Sequence, residues 1–364
     1  MAFVKARILV GDVRTRLSEI PDQSVQSCVT SPPYWGLRDY GTAEWQDGDG
    51  NCDHIQDESK TKQFGNPEFN ENRPSRKETK TKGFYYEKEC EKCGAKRVDS
   101  QIGLEQSPNE YVEQLVQVFR EVKRVLRDDG TLWLNLGDSY SGSGKGPSGN
   151  LGKTHDERNM EEKHSAIVPD GLKPKDLVGI PWRVAFALQA DGWYLRQDII
   201  WAKPNPMPES VTDRCTKSHE YLFLLSKSAR YYFDNQAIKE PAVWAGDERN
   251  GEGRLTYDGK RQGQKGEGQE AFVSISDTRN KRDVWTINTK PFKGAHFAVM
   301  PEALVEPCIL AGSKEGDTIL DPFSGSGTVG LVALTNNREY LGVELNPQYA
   351  EMSVERIGLG AELG

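Results

Sequence analysis

Residues 317–330 read DTILDPFSGSGTVG: an apolar run, a glycine-rich turn and a second apolar segment. The pattern predicts a buried strand over DTILDPF and a helix after Gly327, joined by a turn whose glycines let a ligand approach the backbone. N–H groups at the start of that helix can bind the ligand. Glu344 ends the next predicted strand, YLGVEL, where a carboxylate can accept hydrogen bonds from ribose hydroxyls. Gly325, Gly327 and Gly330 also satisfy G-x-G-x-x-G, so two classes of nucleoside cofactor fit this motif.

A second motif, Thr30-Ser31-Pro32-Pro33-Tyr34, follows the apolar run SVQSCV near the N-terminus. Two consecutive prolines hold a rigid, extended turn and leave carbonyl groups without competing N–H donors. An exocyclic amine could donate to the Ser31 hydroxyl and the Pro32 carbonyl while Tyr34 stacks on the ring that carries the amine. Taken alone, two consecutive prolines would more simply indicate an ordinary proline-rich loop. A nucleoside-binding motif in the same chain favours the catalytic interpretation.

The segments around these motifs indicate an α/β protein. RILVGD, ending in Gly11-Asp12, is predicted to be a strand, and Ser107-Pro108-Asn109-Glu110 is a capping box that begins a helix ending near Gly130. The strand TLWLNLGDSY follows this helix, which is the order of a parallel-sheet crossover. Further strands are predicted over GWYLRQDIIWAK, EYLFLLSK and RYYFD, and further helices near Pro181–Leu188, Pro301–Ala311 and after Asn346-Pro347.

Three polar stretches interrupt this fold, and they divide the chain into predicted regions. A catalytic domain comprises residues 1–41, 101–240 and 283–364. Residues 42–100 are expected to form an insertion that binds zinc, and the Gly/Ser-rich residues 141–172 a mobile loop. Residues 245–282, which are polar and follow the catalytic motif, are the candidate target-recognition region.

Four residues at the two ends of the first insertion have metal-ligand spacing. Cys52-x-His54 lies at one end and Cys90-x-x-Cys93 at the other. Two such pairs can supply the four tetrahedral ligands of a structural zinc ion, which would hold an insertion too polar to fold around its own core. The other three cysteines, Cys28, Cys215 and Cys308, are isolated in the sequence and are expected to be ordinary free thiols.

Composition excludes several classes of protein. The 364 residues are 36% hydrophobic and contain no apolar run of the roughly 18 residues that a membrane span needs. The N-terminus lacks the features of a signal peptide, so a cytoplasmic location without membrane partners is expected. Six cysteines are too few for a disulfide scaffold. A formal net charge of −8 excludes a histone-like protein that binds nucleic acid through overall charge.

Together, the two motifs resemble those of the beta-class amino DNA methyltransferases. TSPPY resembles their catalytic motif, and DPFSGSGT with Glu344 resembles their S-adenosylmethionine motif, in the order of that class. The similarity extends to Gly11-Asp12, HFAVMPEALVEPCI and WAKPNPMPESVTDRCTKSHEYLFLLSK. It implies an α/β fold with a Rossmann-like S-adenosylmethionine-dependent methyltransferase sheet in circularly ordered form, carrying polar insertions.

The circular order has a physical rationale. The segment after Glu344 has one helix and lacks the next βα unit of a doubly wound sheet, whereas the chain begins with such a unit. The N-terminal strands can therefore complete the sheet, which would bring Asp12 and Ser31 beside the glycine-rich turn.

The resemblance also implies roles for particular residues. It assigns catalysis to Ser31, Pro32, Pro33 and Tyr34, and cofactor binding to Asp12, His296, Asp321, Phe323, Gly325, Gly327, Thr328 and Glu344. It implies a double-stranded DNA substrate with the target base flipped, and it leaves open whether a cognate restriction enzyme is a partner. Serine before Pro-Pro-Tyr is linked mainly with cytosine N4, and Asp or Asn mainly with adenine N6. We therefore prefer the N4 of cytosine as the target amine, with the N6 of adenine as the alternative.

Three other classes of function compete with this interpretation. A nicotinamide-dependent oxidoreductase would explain the glycines but not TSPPY. Enzymes that methylate protein glutamine have a related motif, in which resemblance leads us to expect Asn in place of Ser31. A non-catalytic DNA-binding module would explain basic insertions but not two chemical motifs. For a DNA enzyme, we expect binding to weaken steeply with salt and to depend on Arg279, Lys281 and Arg282.

Overall fold

The computed structural model describes residues 5–36, 42, 44–52, 90, 92–142, 168–169, 171–242, 277–290, 299–358 and 361–364. In chain order the elements are β1 (Ala6–Val10), α1 (Val13–Ser18), β2 (Val25–Thr30), β3 (Glu44–Gln46), β4 (Lys96–Val98), α2 (Pro108–Val125), β5 (Leu126–Leu136), α3 (Ile180–Ala190), β6 (Tyr194–Ala202), β7 (His219–Ser226), β8 (Glu240–Pro241), β9 (Thr278–Arg279), β10 (Val284–Thr286), α4 (Glu302–Gly312), β11 (Thr318–Asp321), α5 (Thr328–Thr335), β12 (Glu339–Glu344), α6 (Pro347–Ile357) and β13 (Ala361–Leu363).

Nine of these strands form one sheet in the order β10-β6-β7-β5-β2-β11-β12-β1-β13. The pairs of β7 with β5 and β6 are antiparallel, and the other pairs in the sheet are parallel. The N-terminal strands β1 and β2 pair with the C-terminal strands β12 and β11. The circular order and the mostly parallel sheet expected from the sequence are therefore confirmed. The edge strand β13 was not predicted.

Helices cover both faces of the sheet. The buried apolar side chains of α1, α2 and α3 join one core cluster, and those of α4, α5 and α6 join the other. Alternation along β1 divides its side chains between the two cores, since Leu9 belongs to the first and Ile8 to the second. The sheet is thus buried on both sides, and its strand ends are the places where polar side chains can gather.

Helix α2 shows how the sequence fixes its own boundaries. The Ser107 hydroxyl accepts from the Glu110 N–H at 3.2 Å, and the Glu110 carboxylate accepts from the Ser107 N–H at 3.3 Å, which confirms the capping box. The helix ends at Val125, not near Gly130, because Leu126 already pairs with Val25 in the sheet. The predicted boundary was therefore too late.

The prediction of a strand over RYYFD was wrong. Residues 230–234 lie outside the strands, and two of their backbone N–H groups donate to other elements: Tyr232 to the Asp129 carbonyl in β5 and Asp234 to the Ala311 carbonyl in α4, each at 2.9 Å. The Phe233 ring stacks on Trp133 with centroids 6.2 Å apart. The aromatic run reflects this packing and not a strand.

The three polar insertions leave the fold at paired backbone segments. Strands β3 and β4 pair at the ends of the first insertion, a bridge between Tyr140 and Leu177 closes the second, and β8 and β9 pair at the third. Most of the predicted mobile loop 141–172 and of the predicted recognition region 245–282 lies outside the described residues. Within the described part of the chain, no helix combines the length and apolar character that crossing a membrane requires.

Candidate active site

The carboxyl ends of β1, β2, β11 and β12 meet at one edge of the sheet. Val10 is opposite Glu344 in the register, and Leu320 is opposite Cys28. Because these strands are parallel neighbours, the glycine loop (residues 322–327), the TSPPY loop (residues 30–34) and Gly11-Asp12 lie at the same edge. This edge, at the point between β2 and β11 from which the chain connections run to opposite sides of the sheet, is where open α/β sheets bind ligands.

Asp321 connects the two sequence motifs. Its Oδ1 accepts from the Thr30 hydroxyl at 2.7 Å and from the Phe323 N–H at 3.0 Å. The side chain is buried, and burial raises the pKa of Asp321 to about 7, with the Glu344 charge acting in the same direction. Asp321 therefore fixes the first residue of the TSPPY loop against the start of the glycine loop.

Glu344 supports the glycine loop from the neighbouring strand. Its carboxylate accepts from the Gly325 N–H at 2.8 Å and from the Asn346 N–H at 2.9 Å. The Gly11 N–H donates to the Glu344 carbonyl at 2.8 Å. Burial raises the pKa of Glu344 to about 7. A carboxylate oxygen has more than one lone pair, so Glu344 can accept from a ligand as well as from the loop.

The end of the glycine loop is held by α6. Gly327 has φ +73°, and a Cβ there would lie 3.0 Å from Ser353 Oγ and 3.1 Å from its Cα, so close packing and backbone conformation both require glycine. Arg356 donates to Ser326 Oγ at 3.0 Å and to Thr328 Oγ1 at 2.9 Å. Thr328 is buried, and its hydroxyl stabilises the end of the glycine loop by accepting from Arg356.

The TSPPY loop is clamped from the opposite side by α2 and the segment before it. The Tyr111 hydroxyl donates to the Pro33 carbonyl at 2.9 Å, and the Gly36 N–H donates to the Gly103 carbonyl at 2.8 Å. The Tyr34 ring lies against Gly137, where a Cβ would be 2.5 Å from the ring carbon Cε2. These contacts hold the loop as the rigid turn that its prolines predicted.

Three residues at this site were missed by the sequence analysis. The Tyr34 hydroxyl donates to Glu220 Oε2 at 2.7 Å and lies 3.0 Å from Asn135 Oδ1. Lys203 forms an ion pair with the other oxygen of Glu220. Burial raises the pKa of Tyr34 well above its ordinary value, and the Glu220 charge raises it further. The sequence did hold one indication that Lys203 and Glu220 are close together. Lys203 ends the predicted strand that contains WAK, and Glu220 begins the next predicted strand, EYLFLLSK.

Asp12 lies at the shared edge and also begins a helix. Its side chain accepts from the Arg14 N–H at 2.8 Å as the N-cap of α1, and from Arg14 Nε at 2.9 Å. Burial raises the pKa of Asp12, but the hydrogen bonds from Arg14 outweigh it and the pKa is lowered. Phe323, predicted to contact the cofactor, is partly buried against the core. His296 lies outside the described residues.

Three of the four predicted metal ligands lie together. The Sγ atoms of Cys52, Cys90 and Cys93 are all within 4.8 Å of one another, and those of Cys52 and Cys90 are 3.9 Å apart. The Gly94 N–H donates to the Cys90 carbonyl at 2.8 Å, and φ of +72° at Gly94 completes the turn. His54 lies outside the described residues.

The basic cluster at the third insertion is partly neutralised. Arg279 and Arg282 both pair with Glu240, at 2.8 and 2.7 Å, and Lys281 lies over the Trp285 ring at 4.8 Å. These arginines therefore hold the base of the insertion as well as carrying positive charge, and their role in DNA binding remains a prediction.

Comparisons with known proteins identify the family to which the chain belongs. A family model described as DNA methylase (N6_N4_Mtase) matches residues 25–355. The chain is 42% identical over 355 residues to the type II methyltransferase M.Cfr9I of Citrobacter freundii, covering 97% of this chain and 87% of that protein. It is 41% identical over 353 residues to the type II methyltransferase M.SmaI of Serratia marcescens, covering 96% and 90%.

A solved structure shares the fold. The PvuII DNA methyltransferase (cytosine-N4-specific) aligns with a TM-score of 0.54 at 17% identity, covering 97% of this chain and 86% of that one. The family model spans most of the chain, and the relatives match it along nearly its whole length. The protein therefore belongs to the N6/N4 DNA methylase family.

Proposed function

We propose that this DNA methyltransferase transfers a methyl group from S-adenosylmethionine to the exocyclic N4 of a flipped cytosine at a specific DNA site. One observation carries the proposal: the 2.7 Å hydrogen bond from Thr30 to Asp321 joins the amine-binding loop to the cofactor-type loop. The group that binds the amine and the group that binds a nucleoside are thus fixed at one edge of one sheet, as direct transfer between two bound molecules requires.

The residues at the glycine loop fit S-adenosylmethionine. When bound, this cofactor supplies an electrophilic methyl group on a positively charged sulfonium. Glu344 would suit the ribose of either cofactor, but Asp321 places a second carboxyl group at the start of the loop, and this favours a cationic ligand over the phosphates of a nicotinamide dinucleotide. Glu344 also retains lone pairs for ribose hydroxyls. The oxidoreductase alternative is therefore weaker than the methyltransferase.

The TSPPY loop supplies the amine site. Ser31 is partly exposed, and its hydroxyl can accept from the amine beside the Pro32 carbonyl. Tyr34, fixed by Gly137 and Glu220, offers its ring for stacking on the flipped base. The contribution of these residues is orientation: they aim the nitrogen lone pair at the methyl group.

Cytosine is proposed over adenine because of Ser31. The resemblance links serine before Pro-Pro-Tyr mainly with cytosine N4, and a serine hydroxyl is a weaker acceptor than the carboxylate of Asp. The chemistry of the hydroxyl would also serve adenine, whose N6 lies beside a ring nitrogen as the N4 of cytosine does. Adenine N6 methylation is the alternative. Sequencing DNA from cells that express the protein, with detection of modified bases, gives both the recognition sequence and the modified base.

Substrate class and cofactor can be tested together. With tritiated S-adenosylmethionine, label should enter DNA, and protein or RNA supplied at equal mass should stay unlabelled. Calorimetric titration should show binding of S-adenosylmethionine and none of a nicotinamide dinucleotide at the same concentration. Label in protein alone, or tighter binding of the dinucleotide, would reject the proposed function.

Cofactor affinity is expected to rise with pH. Both carboxyl groups at the glycine loop have pKa values raised to about 7, and the cationic cofactor favours their ionised forms. The ionised fraction of each group grows about tenfold between pH 6 and 8, so the Kd should fall at least about tenfold and then level off. Calorimetry in buffers of different ionisation enthalpy should show proton release near pH 6.5. Glu344→Gln should weaken binding and flatten the profile, and a flat wild-type profile would contradict the assignment.

We further propose that Cys52, His54, Cys90 and Cys93 bind structural zinc. Tetrahedral thiolates at about 2.3 Å from zinc lie about 3.8 Å apart, close to the 3.9 Å between Cys52 and Cys90. All three thiols lie at the paired ends of the first insertion, where an ion would join residues distant in sequence.

The zinc proposal predicts about one zinc per purified chain by elemental analysis. Cys90→Ser should lose the metal and make residues 52–93 more sensitive to protease, while the cofactor Kd stays within about twofold because the site lies in the insertion. Cys215→Ser, which changes an exposed thiol elsewhere, is the control and should retain zinc. Far less than one zinc per wild-type chain would reject the site.

A further inference from the structure

Methyl transfer to an amine creates a proton that the protein must remove. The amine nitrogen bonds to the methyl carbon as the carbon–sulfur bond breaks, and the electron pair of that bond stays on sulfur. Nitrogen then carries a positive charge and one proton too many. A protonated nitrogen attached to an aromatic ring is strongly acidic, so even a weakly basic carboxylate can take that proton. The Ser31 hydroxyl can accept it only if it passes its own proton on.

A chain of hydrogen bonds leads away from Ser31. The Ser31 hydroxyl donates to the Tyr34 hydroxyl at 3.4 Å, and the Tyr34 hydroxyl donates to Glu220 Oε2 at 2.7 Å. Glu220 lies in β7, whose antiparallel direction brings its first residues to the edge where β5 ends. The three groups therefore run from the amine site to a carboxylate.

We propose that Glu220 is the terminal proton acceptor of a relay through Ser31 and Tyr34. This inference rests on the proposed function. The proton leaves the amine for Ser31 Oγ, the Ser31 proton passes to Tyr34, and the Tyr34 proton passes to the Glu220 carboxylate. Each hydroxyl ends with one proton, and Glu220 later releases its proton to water. Before transfer, the same chain polarises the Ser31 hydroxyl toward the amine.

Other polar groups near this chain are already committed elsewhere. The Asn135 amide cannot take a proton, and its Nδ2 donates to the Tyr221 carbonyl at 3.0 Å, which turns Oδ1 toward Tyr34. Oδ1 of Asp321 already accepts hydrogen bonds from the Thr30 hydroxyl and the Phe323 N–H. The Asp138 carboxylate caps α3 by accepting from the N–H groups of Gly179 and Ile180, each at 3.0 Å.

Basic side chains surround Glu220 and hold its carboxylate in position. Lys203, after β6, pairs with Oε1, so the oxygen facing Tyr34 remains in the relay. Lys217, two residues before β7, and His219, the first residue of β7, also interact electrostatically with this carboxylate. The Lys203 ammonium lies 4.2 Å from the Trp201 ring centroid, which holds the pair in place.

The test is single-turnover methylation at saturating cofactor with a duplex containing the recognition sequence. Glu220→Gln should lower the rate about 100-fold, in the range of general acid–base catalysis. The cofactor Kd should stay within about twofold, and 2-aminopurine at the target position should still report base flipping. Glu220→Asp should recover part of the rate. Asp213→Asn, which breaks an exposed ion pair with Lys175, is the control and should leave the rate unchanged.

A double-mutant cycle separates a relay from a general structural effect. In the Tyr34→Phe background, which keeps the ring, adding Glu220→Gln should cost little, because the hydroxyl that it serves is gone. An undiminished loss in that background, or Glu220→Gln within threefold of wild type, would overturn the relay. If Glu220→Gln fails to bind cofactor, Tyr34→Phe carries the test, and a wild-type rate for it would overturn the relay. Wild-type protein that transfers no methyl group to DNA would instead reject the proposed function.

Discussion

Replacing Ser31 with alanine is expected to lower the single-turnover rate of methylation about 100- to 1000-fold. The hydroxyl is the proposed acceptor for the amine and the first member of the relay through Tyr34, so its loss removes both orientation and proton transfer. Thr30 remains bonded to Asp321, and the glycine loop is untouched. The Kd for S-adenosylmethionine, measured by calorimetry, should therefore stay within about twofold.

Ser24→Ala is the matched control for this change. Ser24 lies immediately before β2 on an exposed turn, and its hydroxyl donates to the local Pro21 carbonyl at 2.8 Å. The control should methylate at the wild-type rate. A Ser31→Ala protein with near-normal turnover would remove Ser31 from the chemistry, and a parallel loss of cofactor affinity would place it at the cofactor.

Replacing Gly327 with alanine is expected to weaken cofactor binding by at least about 30-fold. A left-handed backbone costs a non-glycine residue about 1–2 kcal/mol. At Gly327 the added Cβ would also crowd Ser353, 3.0 Å away at Oγ and 3.1 Å at Cα. Ser353 donates to the Gly325 carbonyl at 2.7 Å, so displacing it moves the centre of the glycine loop.

Gly316→Ala separates crowding from backbone strain. Gly316 has φ +82°, close to the +73° of Gly327, and a Cβ added there would meet no atom of the described residues within 4 Å beyond its chain neighbours. Gly316→Ala should lose the stability that the backbone conformation costs, measured by thermal unfolding, and Gly327→Ala should lose at least as much because its Cβ also crowds Ser353. Only Gly327→Ala should lose cofactor affinity. Equal cofactor affinities for the two variants would contradict the proposed role of the loop.

The parts of the site that the sequence predicted are those specified by local chemistry. A capping box, a Pro-Pro turn and a glycine turn between apolar runs each depend on neighbouring residues, and the structure contains all three. Their meeting at one edge could be predicted because parallel strands share an orientation. The role of Asp321 as the link to Thr30 needed the register of β2 with β11.

The acidic network was missed because it depends on a reversal of chain direction. Glu220 and Tyr34 are 186 positions apart, and only the antiparallel placement of β7 brings them within 2.7 Å. A charged residue at a strand end is common, so the pattern by itself did not distinguish Glu220. The strand prediction for RYYFD failed because aromatic residues are common in strands, whereas Phe233 of this segment lies outside the strands and packs on Trp133.

The identity of the methylated nucleoside tests the central claim most directly. DNA containing the recognition sequence is incubated with the purified protein and S-adenosylmethionine carrying a trideuterated methyl group, then digested to nucleosides and analysed by mass spectrometry. Transfer to the amine held by Ser31 and Pro32 predicts N4-methyl-deoxycytidine with three deuterium atoms, and loss of that product in Ser31→Ala. N6-methyl-deoxyadenosine as the sole labelled product, or no labelled nucleoside, would contradict the account.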